Sequence, residues 1–154
     1  MTDPSLDLAL ELPEFKRVHP DSSDTAVDVA PTVLIVEDDA NIAFSLTLRL
    51  ASRGMETCVA SDAPSALEIA RRHEPDVAIL DINMPGGDGF EVASRLRADP
   101  RTMGLPIVFL TASMRPEFKE RAEAMESAAF MTKPYDAKNL MDTIGRLLDG
   151  GRFQ

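Results

Sequence analysis

From residue 31 onward, five short apolar runs recur, and helical spacing fills the intervals between them. The runs are Val33-Leu34-Ile35-Val36, Met55 to Ala60, Val77-Ala78-Ile79-Leu80, Ile107-Val108-Phe109-Leu110 and Ala129-Phe130-Met131. Runs of this length, rich in β-branched and aromatic residues and without polar alternation, suit strands buried on both faces. Between them, Ile42, Leu46 and Leu50 stand at i, i+4 and i+8, and Gly54 stops that helix. Asp62 caps a second helix with Pro64 in its first turn and Leu67 and Ala70 on one face. Phe118, Ala122 and Met125 predict a stripe for the fourth helix. Leu140, Ile144, Leu147 and Leu148 predict one for the fifth, which begins after Asp136 and fades at Gly150-Gly151. Strands alternating with helices imply βαβ units and a parallel sheet covered on both faces.

The chain divides near residue 30. Residues 1–30 hold seven acids against Lys16 and Arg17, with Pro4, Pro13 and Pro20 and the run Asp21-Ser22-Ser23-Asp24. That composition predicts a disordered acidic arm. Within it Leu6, Leu8, Leu10 and Leu12 alternate with Asp7, Ala9 and Glu11, a pattern that suits a short strand as well as a frayed helix and leaves a docking segment, for a partner or for the domain's own surface, as the alternative to disorder. Residues 31–150 form the expected domain and 151–154 a short tail without an output module. The 154 residues suffice for one ordinary core. No apolar run approaches the length of a membrane helix, and Met1-Thr2-Asp3-Pro4 does not open a secretory signal. Cys58 is the only cysteine, so no internal disulfide forms, and it reads as a small buried thiol. A cytoplasmic protein is expected. The net charge of −10 argues against direct nucleic-acid binding.

The residues that end the strands carry the chemistry. Strand one ends in Glu37-Asp38-Asp39, strand three in Asp81, strand four in Thr111 and strand five in Lys133. Ligands of open parallel sheets bind beyond the carboxyl ends of the strands, so neighbouring strands one, three, four and five would bring these side chains together. Strand two ends in Ala60-Ser61 and suits the sheet's edge. Each residue has an ordinary reading. Asp39 before a helix is a cap, a threonine after a strand is a turn residue, and a lysine before Pro134 is a solvated charge. As a set they are chemically complete. Crowded carboxylates repel unless a cation joins them, and hard oxygen ligands suit Mg²⁺. Neither His19 nor His73 is placed to suggest zinc. A nucleophilic carboxylate, a hydroxyl and an ammonium beside a divalent cation describe phosphoryl transfer to a carboxylate, which works as a charge switch.

Four stretches carry a closer likeness: Val33-Leu-Ile-Val-Glu-Asp-Asp39, Asp81-Ile-Asn-Met-Pro-Gly-Gly-Asp-Gly-Phe-Glu91, Phe109-Leu-Thr-Ala112 and Lys133-Pro134-Tyr135. Over about residues 31–149 the chain resembles the receiver domains of bacterial two-component response regulators. The resemblance implies a doubly wound, flavodoxin-like α/β fold with five parallel strands in the order 2-1-3-4-5 and five helices on both faces. It implies Asp81 as phosphoacceptor, assisted by Thr111 and Lys133. Mg²⁺ would be held by Glu37 (through water), Asp38, Asp81 and the Asn83 backbone carbonyl. Thr111 and Phe130 would form the switch, Asn83 and Ser113 would tune the lifetime of the acyl phosphate, and the Lys133-Pro134 bond would be cis.

The implied partners are a sensor histidine kinase or histidine phosphotransfer protein and a downstream protein target. Contact would be made through the face of the fourth helix, last strand and last helix, which also admits a homodimer. Such a protein is a phosphoacceptor rather than an enzyme. Two departures bear on that face. The switch aromatic is Phe130, without the hydroxyl of the tyrosine often found there, and Glu126 stands where the family usually has glycine. Two other readings compete. A haloacid-dehalogenase-like phosphatase wants a second Asp where Asn83 stands, and its acidic metal pair comes late in the chain. A pseudo-receiver would keep the fold without phosphorylation, yet none of the expected residues is missing.

Overall fold

The computed structural model describes residues 29–84 and 88–153. Five strands and five helices alternate: β1 (Thr32–Val36), α1 (Ala40–Ala51), β2 (Glu56–Ala60), α2 (Ala63–His73), β3 (Val77–Asp81), α3 (Gly89–Ala98), β4 (Ile107–Thr111), α4 (Pro116–Glu123), β5 (Ala128–Thr132) and α5 (Ala137–Phe153). All strand pairs are parallel, and the sheet order is β2-β1-β3-β4-β5. This is the doubly wound α/β fold that the sequence implies. The expected arm at 1–30 falls almost wholly outside the described residues.

Burial follows the order of the strands. Every residue of β1, β3 and β4 is buried, whereas the edge strands β2 and β5 are largely half-buried. Two cores result, one on each face. Leu34, Leu80, Phe109 and Leu96 pack on the face covered by α2, α3 and α4. Ile35, Ile79, Leu46, Leu50 and Ile144 pack on the opposite face under α1 and α5. Alternate residues of each central strand point to opposite faces, so an uninterrupted apolar run is what a twice-covered strand requires.

Local signals set the helix starts. Asp39 accepts from the Asn41 and Ile42 N–H groups at the N-terminus of α1, and Asp62 accepts from Ser65 at that of α2. Asp88 does the same for α3 through Glu91. At the end of α1, the chain turns through Gly54, whose φ of 83° lies in the left-handed region that glycine enters without penalty. Cys58 is half-buried, its sulfur 3.9 Å from the Val33 carbonyl oxygen.

Two local expectations are corrected. Helix α5 does not fade at Gly150-Gly151 but continues to Phe153. Once a helix is nucleated each added residue gains a hydrogen bond, which offsets the glycine penalty of about 1 kcal/mol. Met125 lies beyond the end of α4, in the turn that follows it, where its N–H donates to the Ala122 carbonyl. The left-handed residue before β5 is Ser127, at φ 55°, rather than Glu126. That conformation turns the Ser127 carbonyl toward β4, where it accepts from the Ile107 N–H at 2.9 Å.

Candidate phosphoacceptor site

Strand register brings the acidic groups together. Val36 is paired with Leu80, so the next residues, Glu37 and Asp81, leave the sheet side by side. Carboxylate oxygens of Glu37, Asp38 and Asp81 lie within 4.8 Å of one another. Glu37 and Asp81 are buried, at 4% and 6% exposure, while Asp38 is open to solvent. From the other side, β4 pairs Thr111 with Thr132, the residue before Lys133. The Lys133 N–H donates to the Thr111 carbonyl at 2.8 Å, and its ammonium reaches Glu37 Oε1 at 3.0 Å and Asp81 Oδ2 at 3.6 Å. The Lys133-Pro134 peptide is cis.

One ammonium therefore contacts two of the three carboxylates. Burial is the largest influence on Glu37 and pushes its carboxyl above the ordinary range, and the charge of Asp81 adds to this. Hydrogen bonds from the Lys133 ammonium and the Asp39 N–H pull in the opposite direction without cancelling the rise. Crowded, half-neutralised carboxylates are a fit for a hard divalent cation, with the exposed side of Asp38 leaving room for water ligands. The donor set contains oxygen alone, as Mg²⁺ prefers.

Thr111 is fully buried at the end of β4, but its hydroxyl oxygen is engaged. It accepts from the Ser113 N–H at 3.1 Å and from Asn83 Nδ2 at 3.2 Å. The Asn83 N–H in turn donates to Asp81 Oδ1 at 3.2 Å. Asn83 thus ties the Asp81 carboxylate to the Thr111 hydroxyl, a side-chain link that sequence spacing did not disclose, since it spans 28 residues. Phe130 sits apart from this cluster. It is half-buried on β5, packed against the core beneath α4, and lines a groove with Met114, Lys119 and Tyr135.

A second residue missed by sequence reading is Gly89, the first of α3. A Cβ there would stand 2.6 Å from the Asp81 carbonyl oxygen and 3.0 Å from Ile82 Cα. The bare backbone lets the start of α3 press against the end of β3, where the Gly89 N–H donates to the Ile82 carbonyl at 2.9 Å. The glycine in Asp88-Gly89-Phe90 was visible, but only the close approach explains it.

Residues 33–145 match the response regulator receiver domain family. The chain belongs to that family. Over 118 residues the receiver is 30% identical to Protein PilH of Pseudomonas aeruginosa, covering 77% of this chain and 98% of PilH. It is 40% identical over 107 residues to response regulator PleD of Caulobacter vibrioides, a match to 68% of this chain and 23% of PleD. Among solved structures, the receiver resembles the Vibrio cholerae chemotaxis protein CheY4 with a TM-score of 0.71 and 31% identity over 77% of this chain and 98% of that one. A response regulator structure from Chloroflexus aurantiacus aligns with a TM-score of 0.73 and 32% identity, covering 78% and 98%. No helix among the described residues is long and apolar enough to cross a membrane.

Proposed function

We propose that this receiver accepts a phosphoryl group on Asp81 from a phosphohistidine of a sensor kinase or histidine phosphotransfer protein, with Mg²⁺ at the acidic cluster. The observation that carries this reading is the juxtaposition of Glu37, Asp38 and Asp81 within 4.8 Å beside the Lys133 ammonium. An Asp81 oxygen attacks phosphorus as the bond from phosphorus to the donor imidazole nitrogen breaks. The bonding pair stays on the imidazole, and the product is an acyl phosphate. Glu37, Asp38, Asp81 and the Asn83 carbonyl would hold Mg²⁺, which supplies positive charge against the phosphoryl oxygens. Lys133 exchanges its contact with Asp81 for one with the incoming phosphoryl group. Thr111 gives up its bond from Asn83 and donates its hydroxyl to another phosphoryl oxygen.

The protein is then a phosphoacceptor rather than a turnover enzyme, and its output is a change on the face of α4, β5 and α5. That face would meet a downstream protein, or a second copy, in the cytoplasm. Asn83 and Ser113 are small and polar and shield the acyl phosphate poorly from water, so the phosphorylated state is expected to last minutes rather than hours. The test is mass spectrometry after incubation with acetyl phosphate and Mg²⁺. The parent should gain one phosphoryl group, and Asp81→Asn should gain none while keeping its fold, because an amide is a poor nucleophile. Full labelling of Asp81→Asn would remove Asp81 from the mechanism, and continuous release of free phosphate at a catalytic rate would make the protein a phosphatase.

A further inference from the structure

The Thr111 hydroxyl is fully buried, yet among the described residues no hydrogen bond joins it to Asp81. Two N–H groups reach it instead. That of Ser113, at 3.1 Å, is a local turn bond from the same strand end and travels with Thr111. That of Asn83, at 3.2 Å, comes from the loop after β3 and crosses between strands. β3 pairs Asp81 with Leu110, so the register carries Thr111 level with Ile82, and Asn83 lies one residue further on. Asn83 stands between the two reacting groups, its side chain on Thr111 and its backbone N–H on Asp81 Oδ1 at 3.2 Å.

The fold does not require that side chain. Asn83 is exposed and belongs to neither core, and water would satisfy its amide without the hydroxyl. Its bond nevertheless engages the one group on β4 that has to be released when a phosphoryl oxygen becomes its partner. The orientation of the amide is immaterial, because its oxygen could accept the Thr111 proton as readily as its nitrogen donates.

We propose that Asn83 is a latch on the unphosphorylated state. Its side-chain amide keeps the Thr111 hydroxyl turned toward the β3–α3 loop and lowers the fraction of molecules in which Thr111 and Phe130 adopt the signalling arrangement. The latch rests on Asp81 being the phosphoacceptor. It gives Asn83 a role before phosphorylation, separate from any effect on attack by water afterwards. A ligand that binds only the competent fraction has an apparent dissociation constant raised in inverse proportion to that fraction. One neutral hydrogen bond moves such an equilibrium by roughly two- to tenfold, with the lower end expected for an amide open to water.

The test measures Mg²⁺-dependent binding of beryllofluoride, together with the NMR signals of Phe130. Asn83→Ala keeps the backbone carbonyl and leaves no cavity at an exposed position. It should tighten beryllofluoride binding by about two- to tenfold. Before beryllofluoride is added, its Phe130 signals should lie displaced from those of the free parent toward those of the bound parent. Thr111→Val keeps the volume and removes the partner of the latch. In that background Asn83→Ala should change neither the affinity nor the Phe130 signals, since the coupling needs both groups. Unchanged or weakened binding by Asn83→Ala would overturn the latch while leaving Asp81 as acceptor. Equal tightening in the Thr111→Val background would overturn it too, because Asn83 would then act on the ligand without Thr111. A parent that binds no beryllofluoride would remove the phosphoacceptor reading and the latch with it.

Discussion

Glu37 sits where the fold disfavours its charged form. Its carboxyl is buried beside Asp81, and the Lys133 ammonium only partly offsets that environment. Because the folded-state value is raised, the fold favours the protonated form. The stability Glu37 contributes is complete below its ordinary value of 4.5 and is lost as pH rises through the raised one. In metal-free protein, Glu37→Gln should therefore melt with the parent in acid and above it at neutral pH; a difference that narrows with rising pH would refute the sign. Divalent metal should reverse the penalty. At 100 times its dissociation constant, Mg²⁺ should stabilise the parent by about 2.7 kcal/mol. Asp38→Asn should lose much of that gain, while its metal-free form should be more stable than the parent. Calorimetry with and without Mg²⁺ checks both, and a melting temperature indifferent to Mg²⁺ would argue against the cluster as a metal site.

The junction between β3 and α3 shows how one element sets the position of another. Gly89 lets α3 start against the Asp81 and Ile82 backbone, and Asp88 caps the helix by accepting from the Glu91 N–H at 2.8 Å. Phe90 then enters the core against Phe109, with ring centroids 4.7 Å apart, and Arg121 of α4 lies over the Phe90 ring at 3.9 Å. A methyl at Gly89 has no room, because its nearest neighbours are backbone atoms rather than a side chain that can rotate away. Gly89→Ala should cost about 1–3 kcal/mol by overpacking and should displace the end of β3 that carries Asp81. Denaturant melts would read the first effect and the rate of labelling by acetyl phosphate the second. Unchanged stability would mean that α3 shifts freely along β3.

Across the whole molecule, β4 and β5 join the site to the surface. Thr111 stands at the buried end of β4, and Phe109 on the same strand is paired in register with Phe130 of β5. Phe130 is half-buried beside the groove that Met114, Lys119 and Tyr135 line. If Thr111 bonds the phosphoryl group in only one state, it supplies the differential affinity that moves Phe130 and the face of α4, β5 and α5. Thr111→Ala should still accept phosphate on Asp81, but should transmit it poorly. Beryllofluoride, a phosphoryl mimic, should shift the NMR signals of Phe130 and its neighbours in the parent far more than in Thr111→Ala. Equal shifts in both would sink this coupling while leaving Asp81 as acceptor.

The order of strands and helices was legible in residues 33–148 because both periodicities depend on local patterning. Central strands buried on two faces must be apolar throughout, and helices covering a sheet must carry one apolar stripe. Capping was equally local, so Asp39 and Asp62 declared their helices in advance. Much of the site was also readable, since ligands of parallel sheets lie beyond the strands' carboxyl ends. What the sequence could not decide were the contacts made between distant segments. The Asn83 to Thr111 bond depends on how β3 and β4 are registered, and the tight approach of Gly89 on where α3 meets β3. The left-handed turn at Ser127 rather than Glu126 depends on β4, which needs the Ser127 carbonyl as the acceptor for Ile107. Local pattern determined which elements form and which residues end them, because those energies lie within a few turns of chain. Tertiary packing decided which side chains meet, because only the registered sheet brings segments as far apart as Glu37 and Lys133 within 3.0 Å.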